Sequence, residues 1–156
     1  MKPATMRLWA VRWVYAGAAV HMLVGLLLPW LVQLVLLDHY FSAIDTVFWG
    51  GAAPAAARAQ QQWWVSLFGP TVQTVAVWMA ALAVIADRER SSFAWGSLIV
   101  GILVWAPQDI AISLRAACWA NVWLDCVAVL TTVPPLAWLF LHDRRGTAAR
   151  TAAAAR

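Results

Sequence analysis

The sequence predicts an all-α polytopic membrane protein: a four-transmembrane-helix bundle with a short outer interfacial segment between helices one and two. Three observations predict it. First, 63% of the 156 residues are hydrophobic and 12% charged, against roughly 45–50% and 25% in soluble domains. Second, four stretches lack Asp, Glu, Lys and Arg: Trp13–Leu37, Ala59–Ala86, Ser91–Gln108 and Cys126–His142. Each approaches or exceeds the about 20 residues that a bilayer crossing takes; the fourth becomes a full span with Asp125 at its outer end. Third, the basic residues alternate in density from one connection to the next. Nine Lys and Arg (Lys2, Arg7, Arg12, Arg88, Arg90, Arg144, Arg145, Arg150 and Arg156) fall on one side of the four-span arrangement, and only Arg58 and Arg115 on the other. By the positive-inside rule both termini are cytoplasmic.

The chain reads as a single integral membrane domain over residues 1–156. Spans are expected near 9–37, 63–86, 93–114 and 119–141, with an outer loop at 38–62 and a basic cytoplasmic tail at 143–156. The first run is too long for the core of a signal peptide. Pro29 lies in its outer half, where it can kink a helix. "DHYFSAIDTVFWGG" is too polar to cross and too aromatic to float free. It reads as interfacial, ended by Gly50 and Gly51. Pro54 suits a first helical turn, so "PAAARAQQQWW" extends the second helix outward. "DRERSS" is a turn short enough to make the second and third helices antiparallel neighbours. The turn around "RAACWAN" joins the third and fourth in the same way.

Polar groups inside a span are costly and mark the candidate sites. "WAPQDIAISLR" places Pro107, Gln108 and Asp109 within the third span. Pro107 removes the hydrogen bond to the Leu103 carbonyl. Asp109 lies six residues from Arg115, roughly 9 Å below it at helical rise. In the first helix, Gly17, His21 and Gly25 share a face that permits close approach. Gln73 follows Gly69-Pro70 in the second. Asn121, Asp125 and Thr132 share a face of the fourth. The expected ligand-binding set is His21, Gln73, Trp105, Gln108, Asp109, Asp125 and Thr132, in a cavity open to the outside. Asp38, His39, Asp45 and Arg115 form its polar outer rim. A simpler reading pairs Asp109 or Asp125 with Arg115 across the outer turn. Cys118 and Cys126, eight residues apart, are about 12 Å apart on a continuous helix, too far for a disulfide. Cys118, nearer the outer surface, is expected to be the more accessible thiol.

The 12 Trp suit the two membrane interfaces. There is no C-x-x-C, metal-ligand spacing, phosphate loop or nucleophile elbow, so neither a cofactor nor a metal is expected. The basic balance follows topology and is not a nucleic-acid footprint. Ten Arg against one Lys, with abundant Ala, suit a GC-rich bacterial genome and an inner (plasma) membrane location. The expected function is not enzymatic: binding an apolar or amphipathic ligand, or a proton, in an outward-facing cavity, as a carrier, a sensor or an accessory subunit. One alternative is a membrane-embedded enzyme using His21 and Asp109 as acid and base on a lipid, isoprenoid or quinone-like substrate. Another is a structural partner of a larger membrane complex. The expected partners are the lipid bilayer, such a small molecule, or another membrane protein.

Overall fold

A computed structural model describes residues 3–154, and every regular element in them is helical. In order they are α1 (Pro3–Leu31), a 3₁₀ turn (Val35–Leu37), α2 (Asp38–Trp49), α3 (Ala55–Glu89), α4 (Ser92–Arg115) and α5 (Trp119–Ala154). Four segments are long and apolar enough to cross a membrane: α1, α3, α4 and the Trp119–Gly146 part of α5.

The helix boundaries do not simply follow the charge-free runs. α1 stops at Leu31, six residues short of the predicted 37, and the chain turns through Val32–Leu34 into the 3₁₀ turn. Absence of charge says that a segment tolerates apolar surroundings; it does not say that the backbone stays helical. Pro29, two residues from that end, already removes one rung of the ladder. The expected interfacial segment is a 12-residue helix, closed by Gly50 at φ 67°. Glycine adopts that left-handed geometry without a steric penalty. α5 continues past residue 141, through the stretch expected as a tail, to Ala154.

α1 packs along α3 and α4 along α5; thinner α3–α4 and α1–α5 contacts close the ring, and α2 lies against α5. Consecutive helices α3 and α4 are therefore neighbours but not the main pair. Between them Arg90 caps α3 at φ 54°, and the Ser91 hydroxyl accepts from the Ala94 N–H to cap α4. The main apolar core lies toward the end that carries both termini, here the terminal face. It is built from Val11, Val14, Ala83, Ala86, Ala94, Trp95, Leu98, Leu136 and Leu139. Many larger side chains face outward, among them Leu23, Trp30, Trp78, Val104 and Leu130. Ala18, Ala76, Ala83, Ala86, Ala94 and Ala106 are buried while so many large apolar groups face outward, which is not the pattern of a water-soluble bundle.

Two interhelical contacts use carbonyls freed by proline. Pro29 has no N–H for the Gly25 carbonyl one turn back, and Gln73 Nε2 of α3 donates to it at 3.1 Å. This works because the backbones almost touch. A Cβ on Gly25 would lie 2.7 Å from the Gly69 carbonyl oxygen, and one on Gly69 would lie 2.7 Å from that of Gly25. Likewise Pro135 frees the Thr131 carbonyl, which accepts from Trp13 Nε1 of α1 at 2.8 Å.

Candidate functional site

At the end opposite the terminal face, four polar residues of the α4–α5 hairpin meet. Asp109 and Ser113 are one turn apart on α4, as are Asn121 and Asp125 on α5, so each pair shares a helix face. The tight connection turns these faces together, with the Cys118 N–H donating to the Ser113 carbonyl at 2.8 Å. Asn121 Nδ2 donates to Asp109 Oδ1 at 3.1 Å and to Ser113 Oγ at 2.8 Å. Trp105 Nε1 donates to the other Asp109 oxygen at 3.1 Å.

Asp125 stands apart in its bonding. It is 4% exposed, and its buried Oδ2 has no hydrogen-bond partner among the described residues. It shares its face of α5 with Asn121, whose side-chain amide reaches Asp109 on α4. Tyr40 of α2 completes the surroundings: burial, then the nearby Cys118, Asp109 and Asp125, push its phenol above the usual range. An unpaired buried carboxylate beside a second one is an arrangement that a proton or a cation would stabilise.

Of the predicted set, Trp105, Asp109 and Asp125 come together here. The others bond elsewhere. His21 Nδ1 pairs with the Gly17 carbonyl of its own helix, Thr132 Oγ1 donates to Ala128, and Gln108, on the exposed side of α4, donates to Val104. Gln73 belongs to the α1–α3 contact. On the predicted rim, Asp38 and His39 of α2 are exposed. Asp45 is buried as an anchor: it accepts from Ala53 N–H, Arg58 and Gln61, tying α2 to the start of α3. Burial alone would raise its carboxyl, but those donors outweigh burial and hold it below its ordinary range. Arg115 is exposed and makes no ion pair among the described residues, so the Asp109–Arg115 staple is not formed. Both cysteines are free; Cys118 is buried and Cys126 partly exposed, the reverse of the expected accessibility. The connection bends back on itself at Cys118, whose N–H donates to the Ser113 carbonyl.

Sequence reasoning missed Tyr40, because nothing in "DHYFSA" shows which helix it covers. It also missed a second cluster at the terminal face, where Arg7 reads as a topology signal. Arg7 is buried and donates through Nε and Nη2 to the two oxygens of Asp143, each at 3.0 Å, and through Nη1 to Asp87 at 2.6 Å. Trp95 Nε1 donates to Asp143 at 3.0 Å, and His142 Nδ1 lies 3.1 Å from it. One carboxylate so gathers α1, α4 and α5, and Arg7 adds α3. Two adjoining open clefts, of about 350 and 360 Å³, lie at this face and share His142. Among the described residues no group of His, Cys, Asp and Glu is placed to hold a metal ion.

No protein-family model matches the chain, and no curated protein and no solved structure is significantly similar to it.

Proposed function

We propose that the protein is a multi-pass bundle of a bacterial inner membrane, with both termini cytoplasmic and α2 outside, and that the Asp109–Asp125 site binds a proton or the cationic group of an amphipathic ligand from the outer side. The observation that carries this reading is the buried Asp125 carboxylate, left without a donor beside Asp109. Natural proteins pair buried charges, because an unpaired one loses its hydration without return. Here a donor is missing where the fold supplies three bonds to the neighbouring polar groups. A proton on one carboxyl lets the pair share a charge; an ammonium group satisfies both, with Trp105 and Tyr40 as aromatic neighbours. The role is that of a carrier, a sensor or an accessory subunit. The acid–base alternative has less support, since the hydrogen bonds of Asp109 run to Trp105 and Asn121, not to a second titrating group.

Carbodiimide modification of the purified chain in vesicles tests the reading, because the reagent attacks protonated carboxyls in apolar surroundings. The adduct should map to Asp125 at neutral pH, disappear in Asp125→Asn, and be suppressed by an amphipathic amine. Asp125→Asn should remain folded, since the change removes an unpartnered charge and keeps the shape. No adduct at Asp125, together with a large loss of thermal stability in Asp125→Asn, would show that the carboxylate is a structural anion and sink the proposal.

A further inference from the structure

The clefts at the terminal face are not used by the Asp109–Asp125 site. Their charges divide into two kinds. Arg7 is fully committed, with two bonds to the Asp143 carboxylate, one to the Asp87 carboxylate and one to the Asp87 backbone carbonyl. Arg90, on the first cleft, is not: its Nη1 stands 3.8 Å from Asp143, beyond hydrogen-bonding distance, and its side chain is 46% exposed. Arg145, on the second cleft, is exposed and forms no ion pair among the described residues. His142 lines both clefts with its ring stacked on Trp138, centroids 4.8 Å apart. Asp87, bonded to Arg7, also lines the first cleft; apolar wall is supplied by Leu8 and Val11 in that cleft and by Trp138 and Leu141 in the other.

We propose that these clefts hold the phosphate-bearing headgroup of an anionic phospholipid from the leaflet on this side, with Arg90 and Arg145 meeting the phosphate and the chains descending along the apolar walls. The proposal rests on the multi-pass reading above. The guanidinium fork suits phosphate oxygens, which accept two parallel N–H bonds. About 350 Å³ is at the small end of ligand pockets, so it fits a headgroup and leaves the acyl chains in the bilayer. Cations set directly above apolar walls also match the order of groups in a phospholipid, phosphate first and hydrocarbon below.

The test is native mass spectrometry of the full chain released from vesicles of equal phosphatidylglycerol and phosphatidylcholine. The wild type should retain phosphatidylglycerol preferentially. Arg145→Gln, at an exposed and unpaired position, should fold normally and weaken that retention by roughly 5-fold; adding Arg90→Gln should bring the loss to roughly 30-fold, at about 1 kcal/mol for each basic side chain. Asp125→Asn should leave it unchanged. Equal retention of phosphatidylcholine, or full phosphatidylglycerol retention in the double variant, overturns the proposal. Displacement of the lipid by millimolar inorganic phosphate alone overturns the lipid assignment in favour of a free anion. Resistance of the vesicle-bound chain to an alkaline wash tests the multi-pass reading separately, so a resistant chain without headgroup preference counts against this proposal only.

Discussion

Arg7 and Asp45 show how much a single charged side chain does in an apolar chain. Arg7 bonds both Asp87 and Asp143, and it is buried with Asp143. Truncating it to Met leaves two carboxylates facing each other without their main partner. Breaking one half of a buried pair costs about 3–5 kcal/mol, so Arg7→Met should lower the thermal midpoint more than any loss of an exposed arginine. Trp95→Phe keeps the ring in the core and removes only the N–H to Asp143; at about 1.5–3 kcal/mol for a bond to a charged group it should cost less. Thermal denaturation of the two variants checks both the order and the size. Asp45 acts through pH. Its carboxyl is held below the ordinary value of 3.8, after the donors overcome burial. Its contribution is therefore complete above that value and shrinks as the pH falls below it, until Asp45 itself protonates. Hydrogen exchange in α2 should accelerate over that acid window in the wild type, and already at neutral pH in Asp45→Ala. An α2 exchange rate indifferent to both would mean that Asp45 does not anchor the helix.

The elements are joined where a proline or a glycine alters the ordinary helix. At the α1–α3 crossing four residues cooperate: Gly25 and Gly69 permit contact of the backbones, Pro29 frees a carbonyl, and Gln73 takes it. Interhelical hydrogen bonds in membranes average about 0.6 kcal/mol and reach about 1.7. Gln73→Leu should then cost roughly 1 kcal/mol, and Pro29→Ala in the same chain should return most of it by restoring the backbone N–H to Gly25. Gly25→Ala should cost more, about 3 kcal/mol, because its Cβ would meet the backbone at Gly69 O and Gln73 N, which cannot swing aside as a side chain can. A double-mutant cycle in detergent, read by thermal or denaturant unfolding, gives these terms; additivity of Gln73→Leu and Pro29→Ala would refute the shared carbonyl. Pro107 removes the rung to Leu103 in the same way, within the turn that the Trp105–Asp109 bond spans. It breaks α4 next to the candidate site without ending it.

At the scale of the whole molecule, the ring α1–α3–α4–α5 sets two polar clusters at opposite ends of an apolar body. One is closed by mutual pairing of Arg7, Asp87 and Asp143, and the other holds the unpartnered Asp125. The difference supports assigning stability to the first and binding to the second. The orientation proposed for the chain makes a direct prediction. Reporters fused after Arg156 or within "DRERSS" should read cytoplasm, and one inserted near Ala55 should read outside. An outside reading at Arg156 with a cytoplasmic start would require an odd number of crossings and remove the four-span arrangement.

The sequence by itself determined the architecture at its coarsest: the all-helical body and the four helices long and apolar enough to cross a membrane. These follow from composition and from the spacing of charges, which are local properties of the chain. It also singled out Asp109 and Asp125, because a carboxylate in an apolar run is visible without any neighbour. What surrounds them was decided only in three dimensions. Arg115 is near Asp109 along the chain yet turns away, while Asn121 reaches it from α5 and Tyr40 approaches from α2. Arg7, Asp87 and Asp143 look like flanking charges in sequence, 80 and 136 residues apart in their pairings, and only the closing of the ring makes them one buried cluster. The physical reason is the same in both cases. Solvation preference is carried by each residue alone, whereas a hydrogen bond or an ion pair depends on which helix faces which, and that is set by the small residues and freed carbonyls along the crossings.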